Sequence, residues 1–430
     1  MGSATVVSGH RPGARAWVVL AMLCFVYVLN FLDRQLLSIL AKPIQDSLGV
    51  TDGQLGRIGG LYFALFYCLI SIPVGWLADR TNRSRVLAFA CALWSAATMA
   101  CGLARTYPQL VAARMTVGIG EAGGVPPSYA IISDYFPPGR RATALSLFNL
   151  GPPIGQALGV AFGAGIAAAY SWRDAFVSLG SVGVVTALAV LLIVREPPRG
   201  GLDPAGAAAE KAGFWLTVRS FFGRPALVLA ALGSGATQIV TYGSGNFTTL
   251  MMMREKGMTL HDVATWSPWV VLIGMGGGIA LSGPLIDWST KRWKQAYALL
   301  PAASLTLAAP FYVAFVLQPS WPMALALSIG PTFLNYFYLS SSVALVQEEV
   351  PASQRVLSGA LLLLVMNLIG MGVGPTLVGW ISDQAHAVHP GTSLQIAMLW
   401  LLPFYGLAVL IFLILAGVLK REAAAQKASA

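Results

Sequence analysis

Four ionisable residues lie inside long apolar stretches of this 430-residue sequence: Asp33 and Arg34 in one, Arg114 and Glu121 in another. A charge at the centre of a bilayer costs at least ~2.5–3.5 kcal/mol, so all four should face protein and be paired. A carboxylate held there can take up and release a proton, and a guanidinium fork can grip phosphate in bidentate fashion. Arg114 and Glu121 stand seven residues apart, on one helical face but too far along it to satisfy each other. Asp33 and Arg34 point ~100° apart around their helix, so each needs a partner on another helix. Two structural ion pairs joining the two stretches are the plain alternative. Four costly charges exceed what packing requires, which favours a working centre with Asp33 as proton-coupling residue, Glu121 second, and the arginines as partners of an anion.

Elements that could hold such a centre follow from composition. The chain is 56% hydrophobic and only 10% charged, with mean hydropathy +0.70. Soluble proteins carry about 25% charged residues, so a soluble globular enzyme is excluded. So is disorder, whose signature is low hydrophobicity. A bilayer-crossing helix needs about 20 apolar residues. Stretches of that kind fall near residues 16–40, 54–77, 84–104, 109–132, 142–166 and 174–194, then near 226–250, 264–286, 295–317, 322–346, 356–380 and 395–419. The first is too long for a signal peptide and carries Asp33 and Arg34. The expected fold is an all-α membrane protein of twelve transmembrane helices in two pseudo-symmetric six-helix bundles. One bundle is residues 1–194 and the other 225–430; a linker, 195–224, ends in a possible surface helix over Phe214–Phe222.

The net charge of +10 is read as loop bias rather than nucleic-acid binding. Nineteen of the 27 basic residues fall on one side, six on the other, and Arg34 and Arg114 within spans. That asymmetry predicts both termini in the cytoplasm of a multi-pass protein of the plasma (inner) membrane. Cys24, Cys68, Cys91 and Cys101 read as small buried hydrophobes. No metal is expected: His386 and His389 share a loop with no cysteine nearby.

The halves repeat. Gly75-Trp-Leu-Ala-Asp79 with Arg83 returns 208 residues later as Gly283-Pro-Leu-Ile-Asp287 with Lys291. Asp134-Tyr-Phe-Pro137 with Arg141 returns 214 residues later as Glu348-Glu-Val-Pro351 with Arg355, and Gly151-Pro152 is answered by Gly374-Pro375. Parallel duplication of six spans places a substrate between the halves near the bilayer middle. The second half has no charge well inside a span; its polar candidates there include Gln238, Thr241, Tyr242, Asn246, Asn335, Tyr336, Tyr338 and Asn367. A cavity charged on one wall and neutral-aromatic on the other suits an amphipathic molecule; Asn30, Tyr62, Tyr242, Asn246, Asn335, Tyr336 and Asn367 are its candidate lining residues.

The motifs resemble those of the major facilitator superfamily. Gly75-Trp-Leu-Ala-Asp79-Arg80-Thr-Asn-Arg83-Ser-Arg85 resembles its loop motif, with Asn82 where glycine is usual. Arg114-Met-Thr-Val-Gly118-Ile-Gly120-Glu121 resembles its fourth-span motif, and Gly151-Pro152-Pro153-Ile-Gly155 the fifth-span motif associated with antiporters. Asn30-Phe-Leu-Asp33-Arg34 together with Gly118-Ile-Gly-Glu121 is similar to the spinster branch, which implies export of lysophospholipids or sphingosine-phosphate-like lipids. In physical terms Gly75 lets helices approach, and Asp79 can meet a helix N-terminus of the other half and basic partners such as Arg141. Gly75, Asp79, Arg80, Arg83, Arg141 and Asp287 thus form the expected cytoplasmic gate. Gly151, Gly155, Gly159 and Gly163 keep one face open for close packing, and Pro152 adds a kink.

The expected function is secondary active transport by alternating access, driven by a proton gradient with no cofactor, of an amphipathic lipid-like molecule by a monomer among membrane lipids. The alternative is a proton-coupled transporter of a small organic anion or drug. A lipid-modifying enzyme would need a nucleophile or Ser/His pair at membrane depth, and no histidine lies in a span. A receptor leaves the interior charges unexplained. With both carboxylates ionised the four charges cancel; protonating one leaves an arginine free for an anionic head group.

Overall fold

The computed structural model describes residues 13–198, 213–351 and 354–429. Within them the secondary structure is helical, and ten helices are long and apolar enough to cross a membrane. Spans 1 to 3 are Ala14–Ile39, Asp52–Ala78 and Arg83–Leu103; spans 5 and 6 are Thr143–Ala169 and Trp172–Ile193. Spans 7 to 9 are Pro225–Lys256, Leu260–Thr290 and Ala296–Leu317; spans 11 and 12 are Leu357–His386 and Ser393–Ala424. The two remaining crossings are broken. Span 4 is Tyr107–Glu121 followed by Val125–Tyr135. Span 10 is Trp321–Leu334 followed by Phe337–Glu349. Twelve crossings in two groups of six result, so span 1 begins and span 12 ends on one face, here called the terminus side.

The repeat read in the sequence is a repeat of geometry. Both broken crossings occupy the fourth place of their half. The 214-residue offset that relates Asp134 to Glu348 also carries Glu121, at the break of span 4, onto Asn335, at the break of span 10. Spans 2 and 8 each contain a π-helical turn, Ile58–Tyr62 and Val271–Gly276. Such wide turns interrupt the helical register and recur at working sites. Each half is also clamped on the terminus side. Arg83 pairs with Asp134 at 2.6 Å and Glu196 at 2.7 Å, while Lys294 pairs with Glu349 in the second half.

Small residues set the tight contacts. On span 5, a Cβ at Gly155 would run into the carbonyl of Val28, and at Gly159 it would meet Leu32 O at 2.8 Å. Span 5 therefore lies directly on span 1, and only glycine fits there. Gly374 on span 11 has the same relation to the Ile239 carbonyl of span 7.

Among the described residues, the close backbone contacts between the halves lie on the side away from the termini. Span 2 presents Gly53, Gly56 and Gly60 to span 11, where a Cβ at Gly56 would strike the Pro375 carbonyl and one at Gly60 would meet Met371 O at 3.0 Å. Thr376 Oγ1 accepts from Leu61 N at 3.2 Å across the same seam. On the terminus side the ends of spans 2 and 8 are open. Among the described residues, no heavy atom beyond the adjoining helix backbone lies within 4 Å of a Cβ placed at Gly75 or at Gly283, and Trp76 and Leu77 are exposed. The molecule is closed at the far side and open at the terminus side.

The segment 199–212, which holds the low-complexity part of the linker, lies outside the described residues. Its sequel forms the helix Phe214–Phe222, with Thr217 and Phe221 buried and Trp215 exposed.

Candidate functional site

The four interior charges come together in crossed pairs. Arg34 Nε donates to Glu121 Oε2 at 2.6 Å, and Arg114 lies 3.3 Å from Asp33 Oδ1. Each pair joins span 1 to the first half of span 4, and each of the adjacent residues Asp33 and Arg34 finds its partner on another helix. Thr98 of span 3 donates to the second oxygen of Asp33.

The two pairs differ in access. Asp33 and Arg114 are 2% and 3% exposed at their side chains, sealed by Thr98. In the other pair Glu121 is fully enclosed, but Arg34 keeps 14% of its side chain accessible. Glu121 Oε1 accepts no hydrogen bond, so half of that carboxylate is uncommitted. The Arg34 guanidinium sits among three rings, 4.9 Å from the centroid of Phe31, 5.2 Å from Phe63 and 4.8 Å from Tyr67. Aromatic faces attract a cation and leave its hydrogen-bonding edge free for an anion. Tyr242 of span 7 lies within electrostatic reach of Arg34 from the other half. One turn before Arg34, Asn30 is buried with neither side-chain oxygen nor nitrogen bonded.

The break in span 4 explains how Glu121 reaches this place. It is the last residue of the first half, followed by the turn Ala122–Gly124, with Gly120 pressed on the backbone of Trp94. In the second half the corresponding Asn335 is buried beside Tyr405, and Gln238 neighbours Tyr338. Tyr336 lies within electrostatic reach of Tyr242, and Asn367 is half-buried on span 11. That wall is neutral and aromatic.

Several expected positions are revised. Tyr62 neighbours Tyr107 at the start of span 4, and the span 2 rings beside Arg34 are those of Phe63 and Tyr67. Asn246 packs against Gly59 and donates to the Tyr242 carbonyl at 2.9 Å, which puts it in the seam between halves. Gly75 makes no close helix contact, because the far-side closure swings its neighbours apart on the terminus side. Arg83 is buried within the first half on Asp134 and Glu196 and does not reach across. Arg80 lies over Trp76 at 4.1 Å, Asp287 is exposed, and the Asp79 side chain lies outside the described residues.

Other site features were not anticipated. Gln35 donates to Gln156 at 2.8 Å, and Gln156 in turn reaches Met275 Sδ at 3.0 Å, linking spans 1, 5 and 8. At the far side Arg254 of span 7 holds Asp52 at the start of span 2, while Asp383 of span 11 accepts from Thr51 Oγ1 at 2.8 Å and Gly53 N at 3.0 Å. Among the described residues no cluster of three His, Cys, Asp or Glu could hold a metal.

Two halves of six spans, broken fourth crossings and charges buried inside the first half define a multi-pass transporter rather than an enzyme. Residues 23–368 match the Major Facilitator Superfamily, and the chain belongs to that family. Over 380 residues it is 31% identical to an MFS-type efflux pump from Mycolicibacterium smegmatis, which covers 87% of this chain and 86% of that one. It is 27% identical over 391 residues to Protein spinster homolog 3 from Danio rerio, covering 86% and 77% of the two chains. The crystal structure of a bacterial homolog to the human lysosomal transporter Spinster, in an inward-facing and unoccupied conformation, superposes with a TM-score of 0.88. Identity there is 28%, and the match covers 96% of this chain and 99% of the other.

Proposed function

We propose that the protein is a proton-coupled transporter of an amphipathic lipid with an anionic or zwitterionic head group, a lysolipid or sphingoid-type molecule. Its termini face the cytoplasm of the plasma membrane, so the open side is the cytoplasmic one and the site exchanges substrate and protons with the cytoplasm in the state described. The observation that carries the reading is the Arg34–Glu121 pair: a buried carboxylate with one uncommitted oxygen, tied to a partly accessible arginine inside an aromatic cage. Protonating Glu121 removes the charge that holds Arg34, which then turns its fork to a phosphate. Glu121 is on this geometry the primary proton site, and Asp33, sealed by Arg114 and Thr98, supports the centre. The neutral wall of Tyr242, Tyr336 and Asn335 receives the apolar tail.

The test is uptake into proteoliposomes of purified protein carrying an imposed pH gradient, with matched phosphorylated and dephosphorylated single-chain lipids. Gradient-dependent movement of the phosphorylated lipid supports the reading; movement of both without regard to pH refutes it. A second reading, transport of a small organic anion or drug, is favoured by the likeness to an efflux pump. A drug panel in the same vesicles distinguishes the two.

A further inference from the structure

On the outer surface of the first half, away from the seam, a groove of about 400 Å³ runs between spans 2, 3 and 4. Its walls are apolar, Leu77, Phe89 and Leu93 among them, and its floor is the broken stretch of span 4 at Gly120 and Gly123. At the terminus-side mouth stands Arg85, in the first turn of span 3. Arg85 is exposed, and among the described residues no acidic side chain pairs with it. Its loop neighbour Arg83 is spent on Asp134 and Glu196, so the two arginines of this motif do different work.

The shape and charge select an occupant. Arg85 and Leu93 are eight residues apart, which is ~12 Å of helix, close to the ~15 Å of hydrocarbon in one leaflet. Phe89 is 71% exposed midway between them. A cation at the polar boundary above an apolar channel of one-leaflet depth matches a phosphate head above an acyl chain. We propose that this groove binds one anionic phospholipid of the terminus-side leaflet, its phosphate on Arg85 and one chain along Phe89 and Leu93. The chain ends against Gly120 and Gly123, the residues that flank Glu121, so the bound lipid props the break that positions the carboxylate.

The experiment uses the full chain in detergent, with native mass spectrometry reading the first bound lipid. Wild type should bind phosphatidylglycerol about fivefold more tightly than phosphatidylcholine of the same chains, the worth of one arginine at an anionic surface. That ratio should fall to about one in Arg85→Ala and persist in Arg85→Lys and in Arg292→Ala, an exposed arginine at the equivalent loop of the second half. An unchanged ratio in Arg85→Ala, or an equal loss in Arg292→Ala, overturns the site. Glycerol phosphate binding as tightly as the lipid would reassign it to free phosphate. A phosphatidylglycerol with a photoreactive group in its chain should label the peptide 86–93; labelling confined to other spans refutes the placement.

Discussion

Arg254 donates from both terminal nitrogens to the two carboxylate oxygens of Asp52, at 2.9 and 2.8 Å, and so fastens the end of span 7 to the start of span 2. Gln45 and Ser382 also donate to Asp52, at 2.6 Å each, and Ser393 accepts from Arg254 at 3.0 Å. This is the polar lock of the far-side closure, and it must open for any molecule to pass on that side. Asp52→Asn keeps the size and removes the charge. Hydrogen bonds to charged groups are worth about 1.5–3 kcal/mol, so the far-side-open state should gain roughly tenfold or more in population. Spin-label distances across spans 2 and 7 on that side should lengthen. Unchanged distributions would show that the glycine seam alone holds the closure.

The seam itself is tested at Gly56. A larger side chain there meets backbone at Pro375, which cannot step aside as a side-chain tip would. Gly56→Leu should block far-side closure while leaving the first half folded, and transport should stop with the protein held open to that side. Gly155→Leu, in contrast, forces apart two helices of the same half and should lower thermal stability. Equal melting temperatures for Gly155→Leu and wild type would remove the packing argument.

Glu121→Gln should abolish gradient-driven transport and keep the fold, because a neutral amide still bonds Arg34. Asp33→Asn leaves Arg114 buried without its counter-charge, and breaking such a pair costs about 3–5 kcal/mol. Its main effect should be a fall in melting temperature. The pair of measurements is transport rate and unfolding midpoint for both variants. Full transport in Glu121→Gln would pass the proton role back to Asp33.

Head-group recognition separates the two arginines in the same way. Arg34→Lys keeps charge but loses the planar fork, so affinity for the phosphorylated lipid should fall at least tenfold and that for its dephosphorylated partner little. Arg114→Ala should destabilise the protein without this selectivity. Binding of an anionic lipid should also strengthen as pH falls, since protonating Glu121 frees Arg34. A flat binding–pH profile, or equal losses for both lipids, would sink the assignment.

The charged centre was legible because Asp33, Arg34, Arg114 and Glu121 stand alone in apolar sequence, where a charge has no cheap explanation. The stripe from Gly151 to Gly163 was legible for the same reason: its spacing has one meaning on a helix. The lock was not, because Asp52 and Arg254 sit near span ends, where charges are ordinary and carry no signal about who meets whom. The seam glycines Gly53, Gly56 and Gly60 did carry a small-residue spacing that could have been found. The Tyr67 ring beside Arg34 was not legible, because one aromatic among many in an apolar span carries no signal of the side it faces.

The broken fourth and tenth crossings have a consequence for how the chain is made. Neither piece of span 4, 15 and 11 residues long, reaches across a bilayer by itself, and the first piece carries both Arg114 and Glu121. Such a segment is a poor insertion signal, and the partners that neutralise it, Asp33 and Arg34, leave the ribosome three spans earlier. Span 1 therefore waits in the membrane with two uncompensated charges until span 4 arrives, and span 4 enters by docking onto span 1. A nascent chain cut after span 3 should be held by the insertion machinery or degraded, whereas one cut after span 4 has every interior charge matched.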